Sequence, residues 1–371
     1  MRSSKRPRSV VVKTRTQSYR VTLGRGLDTT IYRAALKSTS ACRVFLVFDA
    51  NFKAFHGPTL ERKWRGVARG TKSLVIPSGE KFKTREAVAR IQDWAISEGA
   101  SPDDILIACG GGVTSDIVGF AAATLFRGIK WAICSTTLLG IVDASIGGKT
   151  GINLDSGKNL VGAFWQPSFV IDDLNWLETL PNRELNSGIA EIVKCAGLKG
   201  GSLLRRISKW AQTGFDSNHG EAGKLIGGVI RYKGEIVLAD ERDRGRRLIL
   251  NYGHTVGHAI EQSLEFQRLT HGEAVLLGML VAAEIENALG IGDPGSLGEF
   301  RAVVASVAVT IPKVRLSSPA IMQAMETDKK RRRGRIRMIL LRRPGTAVIR
   351  EVDPKIIRRA LATVISKYGR Q

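Results

Sequence analysis

Residues 104–116 read Asp104-Ile-Leu-Ile-Ala-Cys-Gly110-Gly111-Gly112-Val-Thr-Ser-Asp116, and this stretch decides the predicted fold. A short apolar run of this kind is typical of a strand that is buried on both faces of a parallel sheet. Glycines between such a strand and a helix let backbone N–H groups approach a phosphate at the helix N-terminus. The stretch is not the GxGxxG fingerprint, and three glycines also suit an ordinary tight turn. It predicts a strand–turn–helix unit, with a nucleotide site and a plain turn as the two interpretations.

Neighbouring stretches favour the nucleotide interpretation. The apolar run 43–49 ends in Asp49 and is followed by Asn51, so it delivers polar side chains to the carboxyl edge of a sheet, where ligands bind in open α/β folds. Further strands are predicted at 73–77 and 131–137, paired strands at 10–23 and a helix at 84–98. Strands and helices therefore alternate at the pace of βαβ units.

From about residue 185 onward the pattern changes from strands to amphipathic helices. These are predicted at 189–198, 222–239, 254–264, 273–289, 297–307 and 319–325. A late pair of short strands is predicted at 335–341 and 346–351. We therefore predict an α/β plus α protein, with a Rossmann-like nucleotide-binding domain at 1–184 and a mostly helical domain at 185–371.

Composition indicates a soluble globular protein of two domains. The chain has 371 residues, of which 43% are hydrophobic, and it contains no apolar run long enough to span a membrane. Its four cysteines show no CxxC spacing, which indicates reduced thiols and no disulfide framework. The N-terminus lacks the apolar core of a secretory signal, so we expect a cytoplasmic protein.

The formal net charge of +23 is the unusual feature of the composition. Basic residues cluster at 1–20 and 329–337, and such faces attract anions, nucleic acid included. No aromatic residues of the kind that stack bases are interleaved with these clusters, and no zinc-finger or RNP pattern is present. An anionic substrate or a solvated basic surface is therefore the preferred interpretation, and no specific nucleic-acid partner is expected.

Three of the five histidines lie close together in the sequence, at 254, 258 and 271. His254 and His258 are four residues apart and project from one face of the predicted helix, which suits either a polar patch or a metal site. Neutral imidazole is a usual zinc ligand, and catalytic zinc keeps three protein ligands and one open position. A carboxylate is the expected third ligand, and Glu191 is the candidate because it lies in an otherwise apolar segment. The glycines at 253, 257 and 272 indicate a close approach of backbone or ligand.

The block 143–159 is rich in polar residues that suit a phosphate or a hydroxylated substrate. Two glycine-flanked lysines, Lys149 and Lys158, lie near Asp143 and Asn159. The run Gly-Gly-Lys-Thr resembles the tail of a Walker A loop, but the first glycine of that motif would fall at Asp143, so a P-loop is excluded. Downstream polar residues at 233, 240–243, 247 and 251 suit either a binding role or a solvated charged helix face.

Together these motifs resemble the 3-dehydroquinate synthase family. Examples are Gly-Gly-Gly-Val-Thr-Ser-Asp, Gly-Lys-Asn-Leu-Val-Gly and Asn-Tyr-Gly-His-Thr-Val-Gly-His. They follow the order and approximate spacing of the family from about residue 10 to the end. The resemblance rests on residues 110–120, 126–128, 136–139, 142–151, 157–164, 191–194, 251–259, 271–275 and 328–330.

The resemblance implies roles for residues at matching positions. Zinc, or Co²⁺, would be held by Glu191, His254 and His271. NAD would be surrounded by Asp49, Asn51, Glu80, Lys83, Gly111, Gly112, Asp116, Thr136, Thr137, Asp143, Lys149, Lys158 and Thr179. The substrate phosphate would be bound by Lys149, Asn159, His258, Lys329 and, from a neighbouring subunit, Arg127. The carboxylate and hydroxyls of the substrate would be bound by Lys194, Lys233, Arg247 and Asn251. A homodimer is implied by the role of Arg127, and C2 dimers are the commonest assembly.

The implied reaction converts 3-deoxy-D-arabino-heptulosonate 7-phosphate, an anionic sugar-acid phosphate, to 3-dehydroquinate and phosphate. It comprises transient oxidation by NAD, elimination of phosphate, reduction, ring opening and aldol closure, which makes the enzyme a lyase of the shikimate pathway. Alternatives are another sugar-phosphate cyclase, namely amino-dehydroquinate or 2-deoxy-scyllo-inosose synthase, and a metal-dependent polyol dehydrogenase. A nucleic-acid binder that kept an old enzyme fold is a further alternative.

Four positions depart from the family pattern. Asp243 stands where Glu is usual, Ala144 replaces a common Ser, Trp165 replaces a common His and Cys195 replaces a larger residue. None of these changes removes an implied zinc ligand or phosphate-binding lysine. The arginines at 331–333 exceed what the family pattern needs and suit a solvated surface.

Overall fold

The computed structural model describes residues 7–216, 220–327, 331–332 and 335–370. Its strands are β1 (Arg8–Lys13), β2 (Ser18–Gly24), β3 (Val44–Asp49), β4 (Lys72–Ile76), β5 (Ile105–Gly110), β6 (Lys130–Ser135), β7 (Lys149–Leu154), β8 (Gly157–Phe164), β9 (Phe169–Asp173), β10 (Arg331–Arg332), β11 (Arg335–Arg343) and β12 (Thr346–Val352). Its α-helices are α1 (Thr29–Lys37), α2 (Ala50–Arg65), α3 (Arg85–Ser97), α4 (Gly112–Thr124), α5 (Asn182–Lys199), α6 (Gly201–Ala211), α7 (Gly220–Ala239), α8 (His254–Ser263), α9 (His271–Ala288), α10 (Pro294–Ala308), α11 (Ser318–Thr327) and α12 (Pro354–Tyr368).

A seven-stranded sheet organises the N-terminal part, with the strand order β1-β2-β9-β6-β5-β3-β4. All neighbouring pairs are parallel except β1 and β2, which form an antiparallel hairpin. Strand β5, which lies between β6 and β3, is buried along its whole length because helices cover both faces of the sheet. The carboxyl ends of β3, β5 and β6 therefore meet at one edge, which confirms the predicted Rossmann-like α/β arrangement.

One face of this sheet packs against α1 and α2 through an aromatic cluster. Tyr32 and Trp64 are fully buried and meet edge to face, with ring centroids 5.1 Å apart. Trp64 also stacks on Phe169 of β9 at 6.1 Å. Large aromatic rings bury much apolar surface, so this cluster is a main source of stability for the first half of the chain.

The opposite face receives α4, which follows the glycine turn as the sequence predicts. Gly119 of α4 lies against Trp131 of β6 and Thr150 of β7, and a Cβ at Gly119 would come within 2.7 Å of the Trp131 ring. After β6, residues 140–144 form a short π-helical turn. Strands β7 and β8 then form a separate antiparallel hairpin, in a block for which the sequence predicted only polar character.

The C-terminal part is mostly helical, as predicted, with a small antiparallel sheet of order β10-β11-β12. Helices α8 and α9 pack closely because glycines face the opposing backbone. A Cβ at Gly257 would lie 3.1 Å from the carbonyl oxygen of Ala274, and one at Gly272 would overlap the backbone of Ser187. Gly253 adopts a left-handed φ of 77° immediately before α8. The close approach predicted from these three glycines is confirmed, and it is an approach of backbone.

The chain divides into two compact units. The first comprises the described residues up to Leu180 together with Lys233–Arg242, and the second comprises Pro181–Tyr232 and the described residues from Asp243 onward. The end of α7 thus belongs to the first unit. The predicted division at residue 184 assigns all of α7 to the second domain. The sequence patterns did not anticipate β9, α1, α2, α6 or α12. No helix among the described residues is both long and apolar enough to cross a membrane.

Candidate active site

Glu191, His254 and His271 lie together in the second unit. Glu191 is on α5, while His254 and His271 are the first residues of α8 and α9. Glu191 Oε1 is 3.5 Å from His254 Nε2 and 3.8 Å from His271 Nε2. These separations exceed a hydrogen bond, so the three atoms border a small shared space.

This group fits a zinc or cobalt ion. Zinc bonds of about 2.0–2.2 Å to N and O imply ligand atoms roughly 3.3 Å apart in a tetrahedron, close to the observed separations. Glu191 is fully buried, and neither carboxylate oxygen accepts a hydrogen bond from a described residue. Burial of a carboxylate is costly in free energy unless a cation compensates its charge. The Lys194 ammonium compensates it at Oε2 only. Oε1 is left facing the two imidazoles.

The protonation state of His254 also suits a metal ligand. Burial is the main cause that lowers the pKa of His254 well below its ordinary value, and positive charge at Lys194 adds to it. The ring is therefore neutral at physiological pH. Its Nδ1 lies 3.2 Å from the backbone oxygen of Tyr252, which accepts a hydrogen bond from the Nδ1–H tautomer. Nε2 then carries the lone pair that faces Glu191.

Glu261 orients the second histidine and was not identified from the sequence. Its Oε2 lies 3.3 Å from Nδ1 of His271, so it accepts the Nδ1–H and directs Nε2 toward Glu191. The residues His258, Glu261 and His271 form a second group with metal-ligand spacing. His258 is exposed, however, and Glu261 already engages His271, so the group around Glu191 is the better metal site. The signal for Glu261 was its position seven residues after His254, on the same helix face.

The N-terminus of α9, which carries His271, is held firmly. Thr270 and Glu273 form a capping box, in which each side chain bonds the backbone N–H of the other. Arg183 donates two hydrogen bonds of 2.7 Å to the Glu273 carboxylate. The Gly272 N–H donates to the Ser187 hydroxyl at 3.0 Å. His271 is thereby fixed relative to α5, the helix that carries Glu191.

The other candidate substrate residues of the second unit differ in burial. Lys194 and Arg247 are buried, Asn251 is half-buried and His258 is exposed. The His258 ring lies 5.2 Å from that of His254 and 5.9 Å from that of His271, measured between centroids. Lys329 lies outside the described residues.

In the first unit, the predicted cofactor residues gather at the carboxyl edge of the sheet. Asp49 caps α2 through its Oδ1, which accepts the Phe52 N–H at 3.1 Å, and the Asn51 N–H donates to the Ser78 hydroxyl at 3.1 Å. Gly111 precedes α4, and a Cβ there would meet Thr137 at 3.0 Å. The Thr136 N–H donates to the Gly110 carbonyl at 3.0 Å. The helix N-terminus, its glycines and the polar strand ends form a surface suited to a pyrophosphate.

A second cluster of candidates joins residues 80–83 to the β7–β8 hairpin. Lys83 is buried and donates to Asp116 Oδ2 and Asn159 Oδ1, each at 2.5 Å. Burial raises the pKa of Asp116 to about 6, and the charge of Lys83 opposes that shift. Asn153 links the hairpin to Glu80 through a 2.7 Å hydrogen bond. Lys158 lies 4.0 Å from the Glu80 carboxylate.

The remaining candidates of the first unit lie at separate points. Lys233 is buried and donates to the Asp143 backbone oxygen at 3.0 Å and to its carboxylate. Thr179 meets His56 Nε2 at 2.7 Å, a partner that the sequence did not indicate. Lys149 begins β7 and is exposed, and Arg127 is exposed in the loop before β6.

Comparison with known proteins first defines the class. A 2-deoxy-scyllo-inosose synthase, solved with carbaglucose-6-phosphate, NAD⁺ and Co²⁺, shares the fold at 24% identity and a TM-score of 0.85, covering 96% of this chain and 99% of that one. The 2-epi-5-epi-valiolone synthase of Streptomyces hygroscopicus subsp. jinggangensis 5008, solved with NAD⁺ and Zn²⁺, has 27% identity and a TM-score of 0.83 over 94% of this chain and 97% of that one. The fold is that of the sugar-phosphate cyclases.

The sequence matches are more specific. Residues 73–187 match the family model for the 3-dehydroquinate synthase N-terminal domain, and residues 188–331 match that for the C-terminal domain. The 3-dehydroquinate synthase of Acidithiobacillus ferrooxidans is 36% identical over 361 residues, which cover 95% of this chain and 97% of the relative. The chain belongs to the 3-dehydroquinate synthase family, whose members are phosphate-eliminating lyases.

Proposed function

We propose that this protein converts 3-deoxy-D-arabino-heptulosonate 7-phosphate to 3-dehydroquinate and phosphate, in the shikimate pathway of aromatic amino acid biosynthesis. The observation that carries the proposal is the group Glu191, His254 and His271, in a chain 36% identical to a curated 3-dehydroquinate synthase over nearly its whole length. The buried carboxylate and the two imidazoles suit a metal that activates a substrate hydroxyl.

The cofactors are NAD and a divalent zinc or cobalt ion. When bound, the ion would supply Lewis-acid polarisation of a substrate hydroxyl, and NAD would supply transient hydride transfer. Glu191, His254 and His271 would hold the ion. The NAD site is assigned to the candidate residues named above for NAD, of which Asp49 is the first in the chain and Thr179 the last. Most of them lie at the carboxyl edge of the sheet or on the β7–β8 hairpin.

The protein's own task is mainly to bind and orient an anionic substrate. Lys149, Asn159, His258 and Lys329 are assigned to the substrate phosphate. Lys194, Lys233, Arg247 and Asn251 are assigned to its carboxylate and hydroxyls. Buried cations such as Lys194 and Arg247 already lie among polar groups, so they are ordered before an anion arrives and lose little freedom when it binds.

The proposal includes a homodimer, in which Arg127 of one subunit binds the substrate phosphate in the neighbouring subunit. Phe126, Leu160 and Phe164 are large apolar side chains that are 39%, 60% and 44% exposed. Two of them lie on the β7–β8 hairpin and the third is next to Arg127. Exposed apolar side chains in one region favour burial against a partner. We further propose a cytoplasmic location, an NAD-binding role for residues 1–184 and a zinc- and substrate-binding role for 185–371, with no specific nucleic-acid function.

The departures from the family pattern leave the proposed ligands in place. Ala144 lies where a Cβ on Gly112 would contact it at 3.2 Å, so a small side chain suits this position beside the glycine turn. Cys195 is buried on α5, one residue after Lys194. Asp243 adopts a left-handed φ of 56°, a conformation that Asp tolerates better than Glu.

One assay tests the function. Purified protein with zinc, catalytic NAD and the heptulosonate phosphate is followed at once for inorganic phosphate, dehydroquinate and NADH. We expect phosphate and dehydroquinate in equal amounts with no accumulation of NADH. Stoichiometric NADH without phosphate would indicate a polyol dehydrogenase. Phosphate released from glucose 6-phosphate or from an amino-substituted heptulosonate phosphate, but not from the expected substrate, would indicate another cyclase.

A further inference from the structure

We propose that Trp165 is a positioning residue that holds the loop of Arg127 in the conformation needed for substrate binding. The proposal rests on the function proposed above for Arg127. It concerns a residue that departs from the family pattern and that no role has been assigned to. All of its contacts lie within the first unit.

The loop that carries Arg127 has an unusual backbone. Phe126, Arg127 and Gly128 have φ values of 52°, 60° and 126°, so three consecutive residues adopt positive φ. Two of them carry a Cβ, and each such residue is strained relative to ordinary backbone. Strain of this kind persists only where surrounding contacts fix the conformation, and it is common at functional sites.

Trp165 supplies the side-chain part of those contacts, beside the backbone hydrogen bonds from Gly128 N–H to the Leu125 oxygen and from Ile129 N–H to the Ala122 oxygen, each 2.9 Å. Its indole Nε1–H donates to the Ile129 carbonyl oxygen at 3.0 Å, directly after the strained residues. Its ring covers Gly128, where a Cβ would lie 2.6 Å from the ring carbon Cη2. Gly128 is thus required both for its φ and for the space that the indole occupies. The strained loop is braced by one side chain through a hydrogen bond and through packing.

Trp165 is itself fixed at two further points. Its backbone N–H donates to the Gly148 carbonyl oxygen at 2.8 Å, next to Lys149. Its carbonyl oxygen accepts the Trp131 Nε1–H at 3.2 Å, which connects it to the central sheet. Trp165 therefore connects three parts of the first unit: β6 through Trp131, the start of β7 through Gly148, and the Arg127 loop through Ile129.

The side chain of Arg127 depends on its backbone for its position. Its side chain is exposed and makes no hydrogen bond or ion pair with any residue in the described parts of the chain. A mobile arginine loses much side-chain freedom when it binds an anion, so a fixed backbone lowers the entropic cost. Loss of the brace should therefore weaken the binding of the substrate phosphate by Arg127, while the fold and the metal group stay intact.

Two substitutions separate the hydrogen bond from the packing. Trp165→Phe keeps an aromatic ring but removes the donor. Trp165→His keeps the donor, because imidazole Nε2 stands at the same ring position as indole Nε1, but it removes the benzene ring over Gly128. Trp94→Phe is the matched control, a half-buried tryptophan on α3 that packs against Phe45 of β3 and makes no hydrogen bond through its indole nitrogen to any residue that the structure describes.

The test is a double-mutant cycle with Arg127→Ala, measured on the zinc- and NAD-loaded enzyme. We expect Arg127→Ala to lower kcat/KM for the heptulosonate phosphate by about 30-fold, the loss of a charge-assisted hydrogen bond. We expect Trp165→Phe to lower it by about fivefold in the natural background and by less than 1.5-fold in the Arg127→Ala background. Trp165→His should stay within about twofold of the natural protein, Trp94→Phe should have no effect, and zinc content and Tm should be unchanged.

The outcomes are distinguishable. An equal loss from Trp165→Phe in both backgrounds would show that Trp165 acts independently of Arg127 and would overturn the inference. No loss from Trp165→Phe, with the expected loss from Arg127→Ala, would also overturn it and would leave the proposed function standing. Full activity of Arg127→Ala would remove the proposed role of Arg127 and the inference together.

Discussion

The metal group of the second unit and the cofactor edge of the first unit differ in how far the charge of their carboxylates is compensated. Among the candidate NAD residues of the first unit (the cofactor edge), Asp116 is paired with Lys83 and Asp143 is paired with Lys233, so carboxylates and cations neutralise one another. In the metal group, the Glu191 carboxylate has Lys194 on one side, and its Oε1 faces two imidazoles without a hydrogen bond from a described residue. His254, one of those imidazoles, is held neutral by burial and by nearby positive charge.

This difference indicates different dependences on the ligand. A site whose charges are already paired retains its geometry before a cofactor binds, and the cofactor adds contacts to it. The buried Glu191 carboxylate is paired with Lys194 at Oε2 only, so its Oε1, which faces the imidazoles of His254 and His271, gains most from a divalent cation. We therefore expect substitutions in the metal group to have large effects on metal affinity, and substitutions at the cofactor edge to have smaller effects on NAD affinity.

The largest expected effect comes from the ligands themselves. Glu191→Gln removes the negative charge and keeps the shape, and His271→Ala removes one imidazole. Each should weaken zinc binding by roughly 1,000-fold and abolish turnover at ordinary zinc concentrations. Zinc affinity is measured by competition with a chelator of known strength. Glu184→Gln, on the exposed first turn of the same helix, is the matched control, and normal zinc affinity in both ligand variants would contradict the assigned site.

A smaller effect is expected from the residue that orients a ligand. Glu261→Gln weakens the hydrogen bond to Nδ1 of His271, which fixes the tautomer and makes Nε2 a better ligand. We expect zinc affinity to fall about 10- to 100-fold, a range typical of such partners. Glu265→Gln, an exposed carboxylate just beyond α8, should have no effect. A loss of zinc affinity in Glu261→Gln as large as that in Glu191→Gln would instead make Glu261 a ligand, as in the group with His258.

Sequence patterns predicted the sheet of the first unit well because its strands are buried on both faces. Strands β3 and β5 are continuous apolar runs that end at Asp49 and at the glycine turn, and both appear as predicted. The β7–β8 hairpin was not predicted because β8 alternates between exposed and half-buried residues and is rich in glycine and polar side chains. The pairing of the hairpin depends on its partner strand, which local composition does not reveal.

At the candidate site too, local sequence patterns do not reveal contacts that depend on the packing of the folded chain. The spacing of His254 and His258 placed both on one helix face, but it could not tell which of them meets Glu191, since that depends on the packing of α5 against α9. The resemblance to the family selected His254 and His271, and these are the imidazoles that the structure brings to Glu191. The contacts of Glu261 with His271 and of Trp165 with Ile129 depend on side-chain direction in the folded chain.

At the cofactor edge, Lys83→Met tests the paired arrangement. It removes the donor shared by Asp116 and Asn159 and leaves the half-buried Asp116 carboxyl group without its cation. We expect NAD to bind about 10-fold more weakly, by loss of local order and of a charge-assisted contact, with zinc affinity unchanged. Calorimetric titration with NAD measures this, and Lys81→Met, an exposed lysine two residues earlier, is the control. A simultaneous loss of zinc would show that the two sites do not respond separately.

The smallest expected effect on ligand binding concerns Glu286, a buried carboxylate of the second unit that has hydrogen-bond partners. Its Oε1 accepts the Leu341 N–H at 2.7 Å and the Tyr252 hydroxyl at 3.2 Å, and Arg301 approaches Oε2 at 3.3 Å. Burial nevertheless raises the pKa of Glu286 to about 7, against these partners. The comparison with Glu191 therefore predicts an effect on stability alone, without loss of zinc.

The sign of that effect follows from where the proton resides. Between the ordinary pKa of about 4.5 and the folded value of about 7, the folded state binds a proton that the unfolded state has released, so stability falls as pH rises through this window. Glu286→Gln removes this dependence. Relative to the natural protein, its free energy of unfolding should rise by about 2–3 kcal/mol between pH 5 and pH 8. Urea denaturation at both pH values measures the difference, with the exposed Glu299→Gln as control. If the difference in free energy of unfolding between Glu286→Gln and the natural protein is the same at pH 5 and pH 8, the prediction is wrong. That result would show that the hydrogen-bond partners of Glu286 keep its carboxylate ionised in the folded protein.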